Sequence, residues 1–279
     1  LKNNLKSLLL VTVFVVSLLA SFGTSFAAEP EKGLDGIKTL EKNKVYEYDL
    51  NGDGKKEKLK YTVAEDEAAY TVYLKLYIND KLCMSRKDKG LAYTLQLCDL
   101  DKKDNYLDLY GYGTMDSGAI SYSFFARYDK NNQYKYVNFK PGKIIKNYDA
   151  YSLELLHGNG KFDMMVDTPV QSDAIGRYYC YVPFQSKNNV ISAISTQTYA
   201  FNKFSSQYKY KAAKTFSVYD KAGSNKVAYK VKTGEKVTIN ALCVTASGKA
   251  YFRVVNSKGK TGWIKSDLKN IFVERPEWG

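Results

Sequence analysis

Runs in which every second residue is apolar recur along most of this chain, and they leave little room for anything but β-structure. Leu59, Tyr61 and Val63 share one side of an extended segment, as do Tyr70, Val72, Leu74, Leu76 and Ile78, then Tyr93, Leu95 and Leu97. Leu107 with Leu109, Tyr122 with Phe124, and Phe162 with Met164 and Val166 continue the pattern. Period two with Tyr, Val and Phe, broken by Gly, Asn and Asp clusters, marks antiparallel strands joined by tight turns. Beyond residue 27 no stretch keeps a helical period, although 36–44 can hold a short helical turn. The expected class is all-β.

A longer period lies over the alternation. DLNGDGKKEKLKY at 49–61, DLDKKDNYLDLYG at 99–111 and LHGNGKFDMMVD at 156–167 each set a polar turn before a strand. Each is followed by a long aromatic strand (70–78, 121–128, 178–184), an Asn- or Lys-rich turn and another strand. Units of roughly 50 residues with about four strands each match the period of propeller blades. An ordinary meander with recurring turn residues is the plainer reading.

The first polar turn carries chemistry. Asp49, Asn51, Asp53 and Glu57 fall at loop positions one, three, five and nine, Lys55 offers its carbonyl at seven, and Gly54 permits the turn. That spacing folds oxygens around one hard cation, and three carboxylates make calcium the natural guest. A possible second metal loop holds Asp99, Asp101, Asp104 and Asp108, with one residue inserted. In the third, His157, Asn159 and Lys161 replace the acids, so no metal is expected there. Residues 45–200 thus resemble the FG-GAP or VCBS type of calcium-loop repeat. The resemblance implies a propeller-like domain over 28–204 in which calcium is structural. Three copies fall short of four blades, which leaves an open array or closure by 30–48.

A polar stretch at 204–214 precedes a compact unit over 212–274. Its segments KTGEKV (232–237), YFRV (251–254) and GKTGWI (259–264) resemble the bacterial SH3-like domain. That implies a small barrel of five or six strands, with Tyr219, Tyr251 and Trp263 as ligand-binding residues for wall peptide or glycan. The opening SVYDKAGS departs from the family, lacking its usual Asn-Val-Arg and Gly-Pro.

The ends and the composition place the chain in a compartment. Lys2 and Lys6, the apolar run 8–20 and Ser25-Phe26-Ala27 read as a secretory signal over 1–27. Its removal takes the formal net charge from +13 to +11, nearly all of it lysine. Lysine is a point charge without the planar fork that reads bases, so an anionic wall polymer suits it and nucleic acid does not. No stable membrane insertion is expected once the signal is cleaved. Of the three pairings open to four cysteines, Cys83–Cys98 is the best, with Cys180 and Cys243 as buried thiols. One histidine in the mature chain, His157, leaves little for a Cys180–His157 pair or other nucleophilic catalysis. The 25 tyrosines, clustered at Tyr110, Tyr112, Tyr122, Tyr128, Tyr134 and Tyr136, suit either strand packing or a binding face. The reading is a secreted, non-catalytic, calcium-stabilised protein that binds peptidoglycan or an anionic wall polymer. Its rivals are a wall hydrolase with an unrecognised active site and an adhesin with a tyrosine face.

Overall fold

The computed structural model describes residues 34–115, 120–129, 131, 133–140 and 151–276. The signal reading over 1–27 lies outside them. The fold is all-β. β1 (Ile37–Thr39) takes the place left open for a helical turn, and sheet I follows as a four-stranded antiparallel meander. Its strands are β2 (Val45–Tyr48), β3 (Glu57–Asp66), β4 (Thr71–Ile78) and β5 (Lys81–Lys89). Sheet II repeats the meander in β6 (Ala92–Cys98), β7 (Asp108–Thr114), β8 (Ile120–Tyr128) and β9 (Tyr134–Tyr136), with β1 added beside β6. Sheet III contains β10 (Asn138–Lys140), β11 (Tyr151–Leu156), β12 (Lys161–Asp167), β13 (Tyr179–Lys187) and β14 (Val190–Ala193). Strands β11 to β14 form its meander, and β10 adds in parallel to β14. Left-handed pairs make the tight turns: Asn79-Asp80 (φ 50° and 63°) joins β4 to β5, and Asn188-Asn189 (φ 53° and 59°) joins β13 to β14.

Sheet IV is the expected SH3-like region and more. It holds β15 (Thr198–Ala200), β16 (Tyr210–Lys211), β17 (Phe216–Tyr219), β18 (Val227–Val231), β19 (Lys236–Val244), β20 (Ala250–Asn256) and β21 (Thr261–Lys265). The order is β15-β19-β20-β21-β17-β18, with β16 also on β19. This sheet is open where a small closed barrel was expected, and among the described residues none of the sheets closes into one. The edge of β19 away from β20 is taken by β15 and β16, so no hydrogen-bonding edge is left there for β18. The polar stretch expected to separate two units is built in. It forms α1 (Lys203–Gln207), capped by the Asn202 side chain on the Ser205 N–H at 2.8 Å, and then β16.

Both faces of sheet II are buried, so residues from either side of its strands enter a core. Leu95, Leu97, Leu109, Phe124 and Ala126 belong to one core cluster with Leu59, Leu74, Leu76 and Ile78 of sheet I. Tyr110 and Phe125 belong to a second cluster that extends through sheet III into sheet IV. Aromatic rings connect it: Phe125 lies 5.7 Å from Phe162, and Tyr178 lies 4.6 Å from Phe201 and 5.4 Å from Phe252. Much of the tyrosine excess is therefore packing. Of the six clustered tyrosines only Tyr136, 53% accessible, is among the exposed side chains.

All four cysteines are free. Cys83 and Cys98 do lie on consecutive strands, but β5 belongs to sheet I and β6 to sheet II. Cys98 is fully buried, its thiol directed at the Asp108 carbonyl. Among the described residues no helix is long and apolar enough to cross a membrane.

Candidate functional site

The three polar turns occupy the same place in the three meanders, between the first and second strands. In the first, the Asp49 carboxylate accepts the N–H groups of Gly52 (2.8 Å), Asp53 (3.2 Å) and Gly54 (2.9 Å). Asn51 Oδ1 accepts from Asp53 N, Asp53 Oδ1 from Lys55 N, and Glu57 Oε2 from Leu50 N at 2.8 Å. Asn51 and Glu57 are buried, and burial, with Asp53 and Asp49 nearby, raises the Glu57 pKa. The second turn repeats the closure, Asp108 standing where Glu57 stands and receiving the Leu100 N–H.

The turns are joined by a repeated contact. Leu50 O accepts from Leu107 N (3.1 Å), and Leu100 O accepts from Gly160 N (2.8 Å). In both cases the donor is the residue just before the next meander's second strand. Lys102 N to Gly158 O (3.3 Å) and a bridge between Asp101 and Asn159 add to the second junction. The three turns therefore form one line across three sheets. Gly52 (φ +70°) makes the first junction possible, since a Cβ there would lie 2.5 Å from the Asn105 carbonyl oxygen. Left-handed strain and a backbone clash together predict that Gly52→Ala destabilises by about 1–3 kcal/mol. Urea unfolding checks this, and a loss below about 0.5 kcal/mol, the range of neutral surface changes, overturns it.

Charge differs from turn to turn. In the second, Arg127 of β8 takes the cationic role: it bonds both Asp108 oxygens (2.8 and 2.9 Å) and pairs with Asp104 (2.9 Å). Its guanidinium also lies over the Tyr106 ring. Burial pushes the Asp108 pKa up to about 7 against the pull of Arg127. Asp99 is also buried, its Oδ1 has no hydrogen-bond partner, and burial with the neighbouring Asp104 raises its pKa to about 6. Of the four acids in this turn, two are thus held by arginine. In the first turn, three carboxylates and an amide oxygen have the right chemistry for calcium. Asp49, Asn51, Asp53 and Glu57 already receive main-chain N–H groups, and among the described residues no three His, Cys, Asp or Glu are gathered for a metal. A carboxylate or amide oxygen that accepts an N–H keeps a further lone pair with which it can ligate a cation.

His157 and Cys180 lie apart. His157 Nε2 faces Asp163 Oδ2 at 3.3 Å near the start of β12, while Cys180 pairs with Val166 near its end. Three residues from Asp163 to Val166 span roughly 10 Å, and their side chains alternate to opposite faces of β12. Burial, with Asp167 nearby, pushes the Cys180 thiol up to about 12, so it stays protonated at neutral pH.

In sheet IV the pairing register places side chains on faces. Tyr219 pairs with Trp263, Trp263 with Arg253, and Lys265 with Tyr251. These share the outer face, whereas Val218, Phe252, Val254 and Ile264 are fully buried on the other. Tyr219 and Trp263 are half-buried, but Tyr251 is buried and lies under the 220–226 turn, its hydroxyl 3.5 Å from where a Gly223 Cβ would be. Lys230, Lys236 and Lys211 are exposed around the same face. Charge is segregated along the chain. Residues 201–279 hold 16 basic and 5 acidic residues, while 28–200 hold 24 of each. Comparison with family models, with curated proteins and with solved structures finds no match.

Proposed function

We propose that this chain is a secreted, non-catalytic protein that binds an anionic polymer of the cell envelope through the outer face of sheet IV. Sheets I to III serve as a scaffold of the FG-GAP or VCBS kind, propeller-like and open, with calcium as a structural ion at Asp49, Asn51, Asp53, Lys55 and Glu57. Sheet IV is an SH3-like module whose half-buried Tyr219 and Trp263 stack on sugar or peptide. The observation that carries the reading is the segregation of charge: the whole surplus of the mature chain lies in 201–279. Lysines around an aromatic pair attract a polyanion at long range and offer it a flat apolar contact at short range.

The test is binding to purified cell walls and to a soluble polyphosphate at several salt concentrations. Affinity should fall steeply with salt. It should drop at least tenfold when Lys230, Lys236 and Lys265 are changed together to Glu. Unchanged binding by that variant sinks the proposal. In parallel, calcium at a hundredfold excess over its Kd should add about 2.7 kcal/mol to stability. Asp53→Ala should abolish the gain. Equal melting of the unmutated protein in calcium and in chelator removes the ion from the scheme.

A further inference from the structure

A cleft of about 470 Å³ opens beside the second and third polar turns. Leu34, Ile37, Leu155 and Leu156 supply its hydrocarbon wall, and Asp35, Asp99, Lys102, Glu154 and His157 its charged groups. Most of those charges are engaged. Lys102 Nζ lies 3.5 Å from Asp35 Oδ1, Ser152 Oγ donates to Glu154 Oε1 at 2.6 Å, and His157 pairs with Asp163. Asp99 is different: it is 6% exposed, its buried Oδ1 accepts no hydrogen bond, and Lys102 and Arg127 act on it only as nearby charges. A buried carboxylate oxygen without a donor is costly, and it becomes favourable once a charged donor reaches it.

We infer that this cleft binds a primary ammonium carried on a short hydrocarbon stem, with Asp99 receiving the N–H groups. The leucines and Ile37 cover the stem. A bare divalent ion fits the lining less well. Calcium takes six to eight oxygens, and among the described residues no three acidic, histidine or cysteine side chains are gathered for a metal. The volume lies within the range of small-molecule pockets, ~300–1,000 Å³. This site needs neither the lysine face of sheet IV nor calcium in the first turn.

The probe is pentylammonium chloride, titrated into the full chain at pH 7.5 and followed by NMR, with pentanol and calcium chloride as comparisons. Saturable binding of pentylammonium, at least tenfold tighter than pentanol, is expected. Asp99→Asn should weaken it at least tenfold. Leu155→Lys, which places a cation on the cleft wall at an exposed position, should weaken it similarly and decides the matter if the Asp99 variant does not fold. Equal binding by the unmutated protein and Leu155→Lys overturns the inference. So does pentanol binding as tightly as the amine, and so does displacement of the amine by calcium at equimolar concentration.

Discussion

Arg127→Met is expected to destabilise the folded chain by about 3–5 kcal/mol, because it leaves Asp108 buried without its charge partner. Asp108 has no exposed surface and gives both oxygens to Arg127, which also holds Asp104. Methionine keeps the length of the side chain and removes all four contacts, three to Asp108 and one to Asp104. The deficit should depend on pH with a definite sign. Folded Asp108 titrates near 7, above the ordinary carboxylate range. Its neutral form is the one the fold favours, so stability linked to it is full below about pH 4 and is lost as pH rises through about 7. Arg127 limits that loss. Without it the folded value moves higher, and the loss at pH 8 deepens. Urea unfolding at pH 5 and pH 8 measures both, and a larger deficit at pH 5 than at pH 8 contradicts the mechanism.

The same arginine shows why the sequence could be read for the loops and not for their electrostatics. Asp99, Asp101, Asp104 and Asp108 lie within ten positions and look like a ligand set. Arg127 is nineteen residues away and enters only because β8 pairs with β7, with Asp108 opposite Arg127 in register. Local spacing cannot show a partner that topology supplies. The period-two runs were more informative, since alternation is itself a statement about faces. Leu74, Leu76 and Phe162 fall inside, as their alternation requires. What alternation could not show is that sheet II is covered on both sides, which is why Tyr110 and Phe125 are core residues instead of a display. Tyr219 and Trp263 are suggested by the resemblance to the SH3-like domain, and the register places them side by side. Tyr251, from the same motif, is covered by a turn whose path no local pattern gives. Cys83 and Cys98 do not pair for a related reason: the chain changes sheets between the consecutive strands β5 and β6.

Residues 212–276 expressed alone are expected not to fold cooperatively, although their strand pattern looks self-contained. Three contributions to sheet IV come from before residue 212. β15 pairs with β19 at Thr198, Tyr199 and Ala200, and β16 pairs with it at Tyr210 and Lys211. Phe252, at the centre of the inner face, packs against Tyr178 and Phe201, and Phe272 packs against Tyr210 at 4.9 Å. The 168–178 segment also fastens the sheet: Ser172 Oγ donates to Ser266 O at 2.6 Å, and the Tyr210 hydroxyl donates to Ile175 O at 3.1 Å. Removing a buried aromatic ring costs about 3–5 kcal/mol. Losing Tyr178, Phe201 and Tyr210 together removes about as much as the ~5–15 kcal/mol that holds a whole domain. The fragment should therefore lack a sigmoidal thermal transition in circular dichroism, while the full chain resists proteolytic cleavage between 198 and 214. A fragment that melts cooperatively would restore an independent module. It would also mean that the contacts of Tyr178, Phe201 and Tyr210 serve to orient sheet IV against its neighbour more than to hold it folded.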